Sequence, residues 1–255
     1  MILAVDMGNT QTALGLFEGG ELLCAWRMPT DCTFTKDEIN VRLQGYFRMY
    51  GREVSCIGAI AFAGVVPQLR REWHGVADQL GVPIMMVGRD TAAVTPVRAD
   101  NPAEVGADRI ANAVAAATFY GAPAIVVDFG TATNIDVVDT DGSYIGGAIA
   151  PGIRISMDAL AARAAQLASV PLEAPERFIG RNTVEAVQNG LVVGTAAMAE
   201  GLVRRIKEEL GAPGARVIAT GGLAGVVAES TDVFDVIDPQ LTLRGICEIH
   251  RRMTA

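Results

Sequence analysis

The stretch Asp6-Met7-Gly8-Asn9-Thr10 follows the apolar run Ile2-Leu3-Ala4-Val5 and leads into a second apolar run, Ala13-Leu14-Gly15-Leu16-Phe17. This order predicts a buried strand, a polar turn and a second strand. A carboxylate at the end of a strand, next to a glycine that lets backbone approach a ligand, suits a complex of a metal ion and a phosphate. The turn is therefore a candidate nucleotide site.

The same arrangement occurs again about half-way along the chain, in Ala124-Ile125-Val126-Val127-Asp128-Phe129-Gly130-Thr131-Ala132-Thr133. Both copies lead to a second strand and a glycine turn, Glu18-Gly19-Gly20 and Asp141-Gly142. Asp and Gly are common turn formers, so turn chemistry explains either copy alone equally well. Two matched copies instead predict one folding unit used twice, with a ligand between the two halves.

Composition narrows the class of protein. A length of 255 residues with 50% apolar residues allows one large domain or two ordinary ones with a sizeable core. The net charge of −8, without a basic cluster, argues against a nucleic-acid partner. The weakly polar run 111–120 is too short to cross a bilayer, and no basic segment precedes the first strand. We therefore expect a cytoplasmic protein that binds neither nucleic acid nor membrane.

Several common sites are not indicated by the sequence. The four cysteines and two histidines are scattered, with no Cys-x-x-Cys pair, so a zinc site is not expected. Neither lysine, Lys36 or Lys207, lies in a Gly-x-x-x-x-Gly-Lys loop, and no Gly-x-Gly-x-x-Gly follows the first strand. The nucleotide site is thus predicted to be neither a P-loop nor a dinucleotide fold.

Strand and helix patterns alternate in the first half. Thr35-Lys36-Asp37-Glu38 is a capping box that predicts the start of a helix, and Pro67 suits the first turn of another. Almost continuous apolar runs over 54–63 and 84–87 predict parallel strands buried on both faces. The fold class is therefore α/β.

The second half repeats this order, with strands predicted near 124–128, 133–139 and 144–149. Asn182-Thr183-Val184-Glu185 is a second capping signature and begins a helical pattern that runs to Leu210. Val217-Ile218-Ala219-Thr220-Gly221-Gly222 gives a strand and a glycine turn. The backbone amides of that turn can approach a nucleotide, although a tight strand-to-helix turn explains the pattern as well. A last helix is predicted over about 241–252.

The segment Gly106-Ala107-Asp108-Arg109 lies at the start of a predicted helix, after the aperiodic segment 90–102. A carboxylate there can accept the proton of a hydroxyl group during phosphoryl transfer. An arginine beside it can orient substrate oxygens. The structural alternative is an Asp favoured by the helix dipole, followed by an exposed Arg.

Five motifs, taken in order, resemble those of the type III pantothenate kinases. They are Asp6-Met7-Gly8-Asn9-Thr10, Asn101-Pro102-Ala103-Glu104-Val105-Gly106-Ala107-Asp108-Arg109, Val127-Asp128-Phe129-Gly130-Thr131-Ala132-Thr133, Gly146-Gly147-Ala148-Ile149-Ala150-Pro151-Gly152 and Ala219-Thr220-Gly221-Gly222-Leu223. The likeness continues to Asp238-Pro239-Gln240-Leu241-Thr242-Leu243-Arg244-Gly245 and covers essentially the whole chain. The resemblance implies the duplicated ribonuclease-H-like fold of the acetate-kinase, sugar-kinase and actin group. The two similar halves, 1–120 and 121–255, would have mixed sheets and a cleft between them.

The resemblance also implies a reaction, namely ATP-dependent phosphorylation of the terminal hydroxyl of pantothenate by a homodimer, as the first step of coenzyme A biosynthesis. It implies that Asp108 is the catalytic base. The implied substrate contacts are Gly106, Ala107, Asp108, Arg109 and, near the dimer interface, Thr183. The expected ATP contacts are Asp6, Met7, Gly8, Asn9, Thr10, Gln11, Thr12, Thr131, Gly221 and Gly222. The implied metal ligands are Asp6 for Mg²⁺ and Asp128 for a monovalent cation, K⁺ or NH₄⁺.

The chain departs from the family pattern on the expected acceptor side. Family members usually have Ser-Ser-Val-Val-Pro where Ala63-Gly64-Val65-Val66-Pro67 stands, an aromatic residue in place of Ala99 and a threonine in place of Asn134. A kinase for another small hydroxylated acceptor is therefore one alternative. A non-catalytic regulator on the same fold is another, which replacement of Asp6 or Asp108 would indicate, but both carboxylates are present.

Overall fold

The computed structural model describes the chain in four ranges, and its packing divides into two compact units. The described residues are 1–64, 66–88, 91–163 and 169–255. Unit 1 comprises Met1–Ala115 and Leu241–Ala255, and unit 2 comprises Ala116–Gln240. Predictions that involve Val65 or Asp90 lie outside the described residues.

The predicted strands and helices occur in the predicted order, and the short strand Val236–Ile237 was not predicted. The strands are β1 (Ile2–Met7), β2 (Gln11–Glu18), β3 (Glu21–Pro29), β4 (Ala59–Gly64), β5 (Ile84–Met86), β6 (Ala124–Phe129), β7 (Ala132–Val138), β8 (Tyr144–Pro151), β9 (Arg216–Thr220) and β10 (Val236–Ile237). The α-helices are α1 (Lys36–Met49), α2 (Pro67–Leu80), α3 (Ala107–Tyr120), α4 (Ile153–Arg163), α5 (Thr183–Gln188), α6 (Gly194–Glu209), α7 (Ala224–Ala228) and α8 (Leu241–Thr254). Within the described ranges, no helix combines the length and the apolar character that a membrane crossing requires.

Both units are built on the same sheet. In unit 1 the strand order is β3-β2-β1-β4-β5, with β1 antiparallel to β2 and parallel to β4. In unit 2 the order is β10-β9-β6-β7-β8, with β6 antiparallel to β7 and parallel to β9. Counted from the first strand of each unit, both orders are 3-2-1-4-5. The predicted duplicated ribonuclease-H-like α/β fold with mixed sheets is confirmed.

In unit 1 the sheet lies between two helical layers. Successive residues of β1 alternate between them, because side chains in a strand point to opposite faces. Leu3 and Val5 pack in a cluster with α1 and α2, whereas Ala4 packs in a cluster with α3 and α8. All three side chains are fully buried. Burying a side chain of the size of Leu or Val stabilises the fold by about 1.5–3 kcal/mol.

Local signals set several of the helix ends. At the start of α1 the Glu38 N–H donates to Thr35 Oγ1 at 3.4 Å, and the Thr35 N–H donates to Glu38 Oε2 at 2.9 Å. This is the predicted capping box. Pro67 occupies the first turn of α2, and Gly81 ends that helix with a φ of 68°, a left-handed conformation that glycine adopts readily.

The structure corrects two predicted elements. The run 54–63 is not one strand, because Val54–Cys56 forms a 3-10 turn and Gly58 donates its N–H to the Met1 carbonyl oxygen before β4 begins. The helical pattern that ends near Leu210 contains a π-helical turn, Asn189–Val193, between α5 and α6. Apolar periodicity does not distinguish these backbone geometries.

Helix α8 packs in unit 1, although it follows the second sheet in sequence. Its Leu243, Ile246 and Ile249 lie in the same apolar cluster as Ala4 of β1 and Ile110 of α3. The predicted second half ran to residue 255, so packing and sequence duplication divide the chain differently at this helix. The halves 1–120 and 121–255 remain a proposal about the duplicated units.

Candidate functional site

The first Asp-x-Gly turn joins the two neighbouring strands β1 and β2. Asp6 is half-buried in β1, with β2 on one side and β4 on the other. The Gly8 N–H donates to the Gln11 carbonyl oxygen at 3.0 Å, which closes the turn. Asn9 and Thr10 are exposed. The turn therefore brings a carboxylate, an amide, a hydroxyl and backbone groups together, which are the groups that bind a metal–phosphate complex.

Two predicted ATP contacts at this turn are buried. Met7 and Thr12 are each 1% exposed. The hydroxyl group of Thr12 lies 2.8 Å from that of Thr30, and the Thr30 N–H donates to the Thr10 carbonyl oxygen at 3.0 Å. These contacts hold the turn in place from within the fold. Contact of these two side chains with ATP stays a prediction.

The second Asp-x-Gly turn, in unit 2, has matching geometry. Asp128 is half-buried in β6, between β7 and β9. The Gly130 N–H donates to the Ala132 carbonyl oxygen at 3.0 Å, as Gly8 does to Gln11. This turn is one residue shorter, with Gly130 and Thr131 between the strands where the first has residues 8–10. The recurrence predicted from sequence is thus a recurrence of backbone structure.

The Gly-Gly turn after β9 lies directly against Asp128. Gly221 has a φ of 90°, and a Cβ added there would lie 2.5 Å from Asp128 Oδ1 and 2.6 Å from the carbonyl carbon of Phe129. Only glycine meets both conditions. The structure therefore brings together Asp128 and the glycine turn, two features that the sequence places about ninety residues apart.

The start of α4 lies against the same turn. A Cβ at Gly152 would overlap with the Thr131 carbonyl oxygen and would lie 2.8 Å from that of Gly130. The Gly152 carbonyl oxygen accepts the Ser156 N–H at 2.9 Å, which begins the helix. Helix N-termini favour anions, because their first N–H groups lack intrahelical partners. Gly152 was not among the predicted site residues. The sequence feature that could have selected it is Pro151-Gly152 directly before a helix.

In unit 1, Gly106-Ala107-Asp108-Arg109 forms the first turn of α3, as predicted. The Gly106 carbonyl oxygen accepts the Ile110 N–H at 3.1 Å. A Cβ on Gly106 would overlap with Asp108 Oδ1, so the carboxylate lies back over the glycine. Asp108 and Arg109 are both half-buried. A carboxylate that reaches solvent beside a helix start can accept a proton from a bound hydroxyl group.

One departure from the family pattern has a local packing reason. Gly64 is paired with Met7 across the sheet. A Cβ at Gly64 would lie 2.5 Å from the Phe62 ring and 2.8 Å from the methyl group of Met7. Those two side chains fill the space that a serine would need, so the glycine fits this core.

Thr183 lies in unit 2, on the wall of a cavity of about 640 Å³. The wall also includes Leu160 of α4 and Arg181. Asn182 begins α5, because its Oδ1 accepts the Glu185 N–H at 2.9 Å. Glu185 Oε2 accepts the Arg181 N–H at 2.8 Å, and this hydrogen bond lowers the pKa of the Glu185 carboxyl group. The cavity wall is thus fixed by a helix cap.

Exposed apolar side chains lie on the wall of this cavity, at Leu160, and at positions that are close in sequence to other wall residues. They are Leu160, Phe178, Ile179 and Val184, with exposed fractions from 39% to 82%. An exposed apolar group of this kind, beside a polar helix start, is typical of a binding surface.

The carboxylates of Asp6 and Asp128 suit a metal ion only where phosphate oxygens complete its coordination. Among the described residues, no three His, Cys, Asp or Glu side chains cluster closely enough to hold a metal ion themselves. Mg²⁺ that accompanies a nucleotide needs one or two protein carboxylates, because phosphate oxygens and waters complete its coordination. Asp6 supplies one such carboxylate beside the first Asp-x-Gly turn, and Asp128 supplies a separate one beside the second.

Comparison with known sequences gives one family over most of the chain. A family model described as type III pantothenate kinase matches residues 2–205. A type III pantothenate kinase of Moorella thermoacetica is 45% identical over 255 residues, which is 100% of both chains. One of Thermomicrobium roseum is 47% identical over 255 residues and covers 99% of this chain and 98% of its own.

Comparison with solved structures shows the fold. The activator of 2-hydroxyisocaproyl-CoA dehydratase from Clostridium difficile, solved with bound ADPNP, matches with a TM-score of 0.59 and 11% identity over 99% of this chain and 97% of its own. A ROK hexokinase from Thermus thermophilus matches with a TM-score of 0.52 and 14% identity over 99% of each chain. At such identities the likeness concerns the fold alone.

Proposed function

Since the chain belongs to the type III pantothenate kinase family, we propose that it transfers the terminal phosphoryl group of ATP to the terminal hydroxyl of pantothenate. It is a phosphotransferase, and this reaction begins coenzyme A biosynthesis. The observation that carries the proposal is the full-length match at 45–47% identity to two kinases of that name. The Asp-x-Gly turns and the carboxylate at the start of α3 supply the chemistry that such a match requires.

Asp108 is the base in this proposal. The hydroxyl oxygen of pantothenate bonds to the terminal phosphorus of ATP, the bond from that phosphorus to ADP breaks, and the hydroxyl proton passes to the Asp108 carboxylate. General-base catalysis of this kind contributes about 10²–10⁴-fold to the rate. The position of the carboxylate over Gly106 supports it. Gly106, Ala107 and Arg109 bind the acceptor beside it.

ATP is bound mainly through backbone groups and cations. Phosphoryl transfer requires positioning and charge neutralisation more than covalent chemistry, which accommodates the scarcity of lysine. The other N–H groups of the turns at Gly8 and Gly130, together with those of the glycine pair at Gly221 and of the first turn of α4, supply donors for phosphate oxygens. The full set of proposed ATP contacts is residues 6–12, Thr131, Gly221 and Gly222.

Two cations complete the proposal. Asp6 holds Mg²⁺ together with phosphate oxygens, and Asp128 holds a monovalent cation, K⁺ or NH₄⁺. When bound, the cations neutralise negative charge that builds up on the phosphates. The contact between Gly221 and the Asp128 carboxylate supports the second site, because it fixes one carboxylate oxygen beside backbone.

The proposal includes a homodimer with Thr183 near the interface. Leu160, Phe178, Ile179 and Val184 expose apolar surface around the Thr183 cavity, and a second copy of the chain would cover it. Thr183 then contacts the substrate of the partner subunit. The cytoplasmic location expected from sequence stays a prediction.

A panel of acceptors tests the function. Purified protein with ATP, Mg²⁺ and K⁺ is incubated with pantothenate, with glucose or with no acceptor, and the products are identified by mass spectrometry. We expect a phosphorylated product from pantothenate only. Preference for glucose would support a kinase for another acceptor, and binding without turnover would support a regulator. Either outcome contradicts the proposal.

The same assay tests whether product formation requires Mg²⁺ and a monovalent cation. Chelation of Mg²⁺ should abolish product formation. Replacement of K⁺ by tetramethylammonium should lower it strongly, because the methyl groups keep oxygen ligands away from the charge. Full activity after both changes would remove Asp6 and Asp128 from their proposed roles.

A further inference from the structure

The carboxylate of Glu248, on α8, is nearly buried and holds two arginines. Its Oε2 accepts the Arg251 Nε–H at 2.7 Å, and its Oε1 accepts N–H groups of Arg251 Nη2 and Arg252 Nε, both at 2.8 Å. Glu248 is only 7% exposed. A buried carboxylate needs such partners, because burial without them is costly. The three side chains therefore form one rigid group.

Arg252 connects this group to a distant part of the chain. Its Nη1–H donates to the Val94 carbonyl oxygen at 3.2 Å. Val94 is itself fixed, because its N–H donates to the Thr91 carbonyl oxygen at 3.0 Å, which also accepts the buried Thr95 hydroxyl at 2.9 Å. Arg252 thus anchors the start of residues 91–105, the leading segment, which runs directly into Gly106.

The leading segment also rests on the apolar cluster that includes α8. Val94, Val97 and Val105 are half-buried and pack against this cluster. Cluster members from α8 include Leu243 and Ile246. Between its apolar contacts the segment has little regular structure beyond a 3-10 turn at 102–104. A segment of this kind depends on a few anchors for its position.

Helix α8 also contacts α3 just after the turn that carries Asp108. The Thr242 hydroxyl donates to Asn112 Oδ1 at 2.8 Å. A Cβ on Gly245 would overlap with the Ala111 carbonyl oxygen, so α8 touches the backbone of α3 within its second turn. The turn that carries Asp108 therefore lies between two stretches that α8 fixes.

We propose that Arg252, held by Glu248, is a positioning residue that orders the leading segment and so sets the affinity of the acceptor side for pantothenate. This inference rests on the proposed function, and it concerns a helix beyond residues 2–205, the part that the family model matches. Arg252 acts through the leading segment and does not contact the reacting atoms.

The chain offers a matched control in Arg251. Both arginines bind Glu248, but the structure shows a contact with the leading segment only from Arg252, among the described residues. The side chain of Arg251 is 63% exposed, against 31% for Arg252. Arg252→Ala leaves Glu248 bonded to Arg251, so the fold is retained. Comparing Arg252→Ala with Arg251→Ala thus separates loss of the anchor from loss of an ion pair.

The first measurement is steady-state kinetics. We expect Arg252→Ala to raise the KM for pantothenate about tenfold, as loss of a charge-assisted hydrogen bond does, with the KM for ATP within about twofold. Arg251→Ala should leave both within about twofold of the original. Arg252→Lys should not restore the KM, because an ammonium group is a single point of contact without the guanidinium fork. Equal effects of the two alanine variants, or rescue by lysine, would overturn the proposal.

The second measurement is hydrogen exchange of the free proteins. Amides of the leading segment should exchange faster in Arg252→Ala than in the original or in Arg251→Ala, with no change in β6–β8. Unchanged exchange in the leading segment would overturn the proposal. Since this measurement needs no substrate, it still decides the anchoring role if the original protein does not phosphorylate pantothenate, a result that would refute the proposed function alone.

Discussion

At the scale of single residues, Glu248 shows how burial and pairing combine. Its hydrogen bond from Arg251 lowers the pKa of the carboxyl group below its ordinary value of 4.5, although burial raises it and the bond from Arg252 lowers it further. Because the pKa of this carboxyl group is lower in the folded protein, the group binds fewer protons there than in the unfolded chain at a pH near 4.5. It therefore stabilises the fold above its ordinary pKa, and this contribution is lost as the pH falls through the folded pKa.

The corresponding prediction compares the original protein with Glu248→Gln by urea unfolding. The variant should be less stable by about 1–2 kcal/mol near pH 7, because two arginines lose a charged partner. The difference in free energy of unfolding should hold down to about pH 4.5, the ordinary pKa of the carboxyl group, and shrink as the pH falls below it through the lowered folded pKa. A difference that stays constant over this range would show that the ion pairs of Glu248 contribute nothing to stability.

The sequence was enough to select candidate site residues, but it did not give their contacts. Asp6, Asp108 and Asp128 could be selected because each follows or begins an element with a clear local signal. The contact between Gly221 and Asp128 could not, because it joins the ends of two strands whose pairing is set by the whole sheet. For the same reason, nothing in the sequence showed that Arg252 reaches Val94.

At the scale of the element, the geometry of the glycine turn after β9 allows a specific prediction for Gly221→Ala. Gly221→Ala places a Cβ at a φ of 90° and 2.5 Å from Asp128 Oδ1. We expect destabilisation by about 1–3 kcal/mol and a raised KM for ATP, because either the backbone or the carboxylate must move. Urea unfolding and steady-state kinetics measure the two effects.

Gly225→Ala is the matched control for that prediction. Gly225 lies in α7, and a Cβ there meets nothing within 4 Å. It should stabilise the protein by about 0.5–1 kcal/mol, because alanine loses less backbone freedom on folding than glycine. If Gly221→Ala behaved like Gly225→Ala, the glycine turn would have no special role beside Asp128.

Element boundaries were predictable where the signal is local. The starts of α1 and α5 follow from Thr35 and Asn182, whose side chains bond to backbone three residues on. The 3-10 turn Val54–Cys56 and the π-helical turn Asn189–Val193 were not predicted. Their residues have the same apolar character as a strand or an α-helix, and hydrogen bonding alone distinguishes the backbone forms.

At the scale of the whole molecule, duplication is what the sequence revealed most clearly. Two matched turns predicted two matched units, and both sheets have the strand order 3-2-1-4-5. The packing of α8 in unit 1 could not be foreseen in this way. Its pattern shows that one face is buried, but an amphipathic helix does not specify which sheet covers that face.

Similarity of fold and similarity of sequence over the whole chain contribute differently. The solved structures share the fold at 11–14% identity, and one fold supports many functions. The kinases of Moorella thermoacetica and Thermomicrobium roseum match over the full length at 45–47% identity, so they carry the assignment of the reaction.

The most direct measurement is the rate of phosphopantothenate formation by Asp108→Asn, with ATP affinity measured alongside. Asp100→Asn, an exposed aspartate of the leading segment, controls for the loss of one charge. We expect a fall in kcat of at least about 100-fold for Asp108→Asn, with the Kd for ATP within about threefold and the kcat of Asp100→Asn unchanged. Turnover by Asp108→Asn at the rate of the original protein would contradict the assignment of Asp108 as the base and, with it, the proposed site.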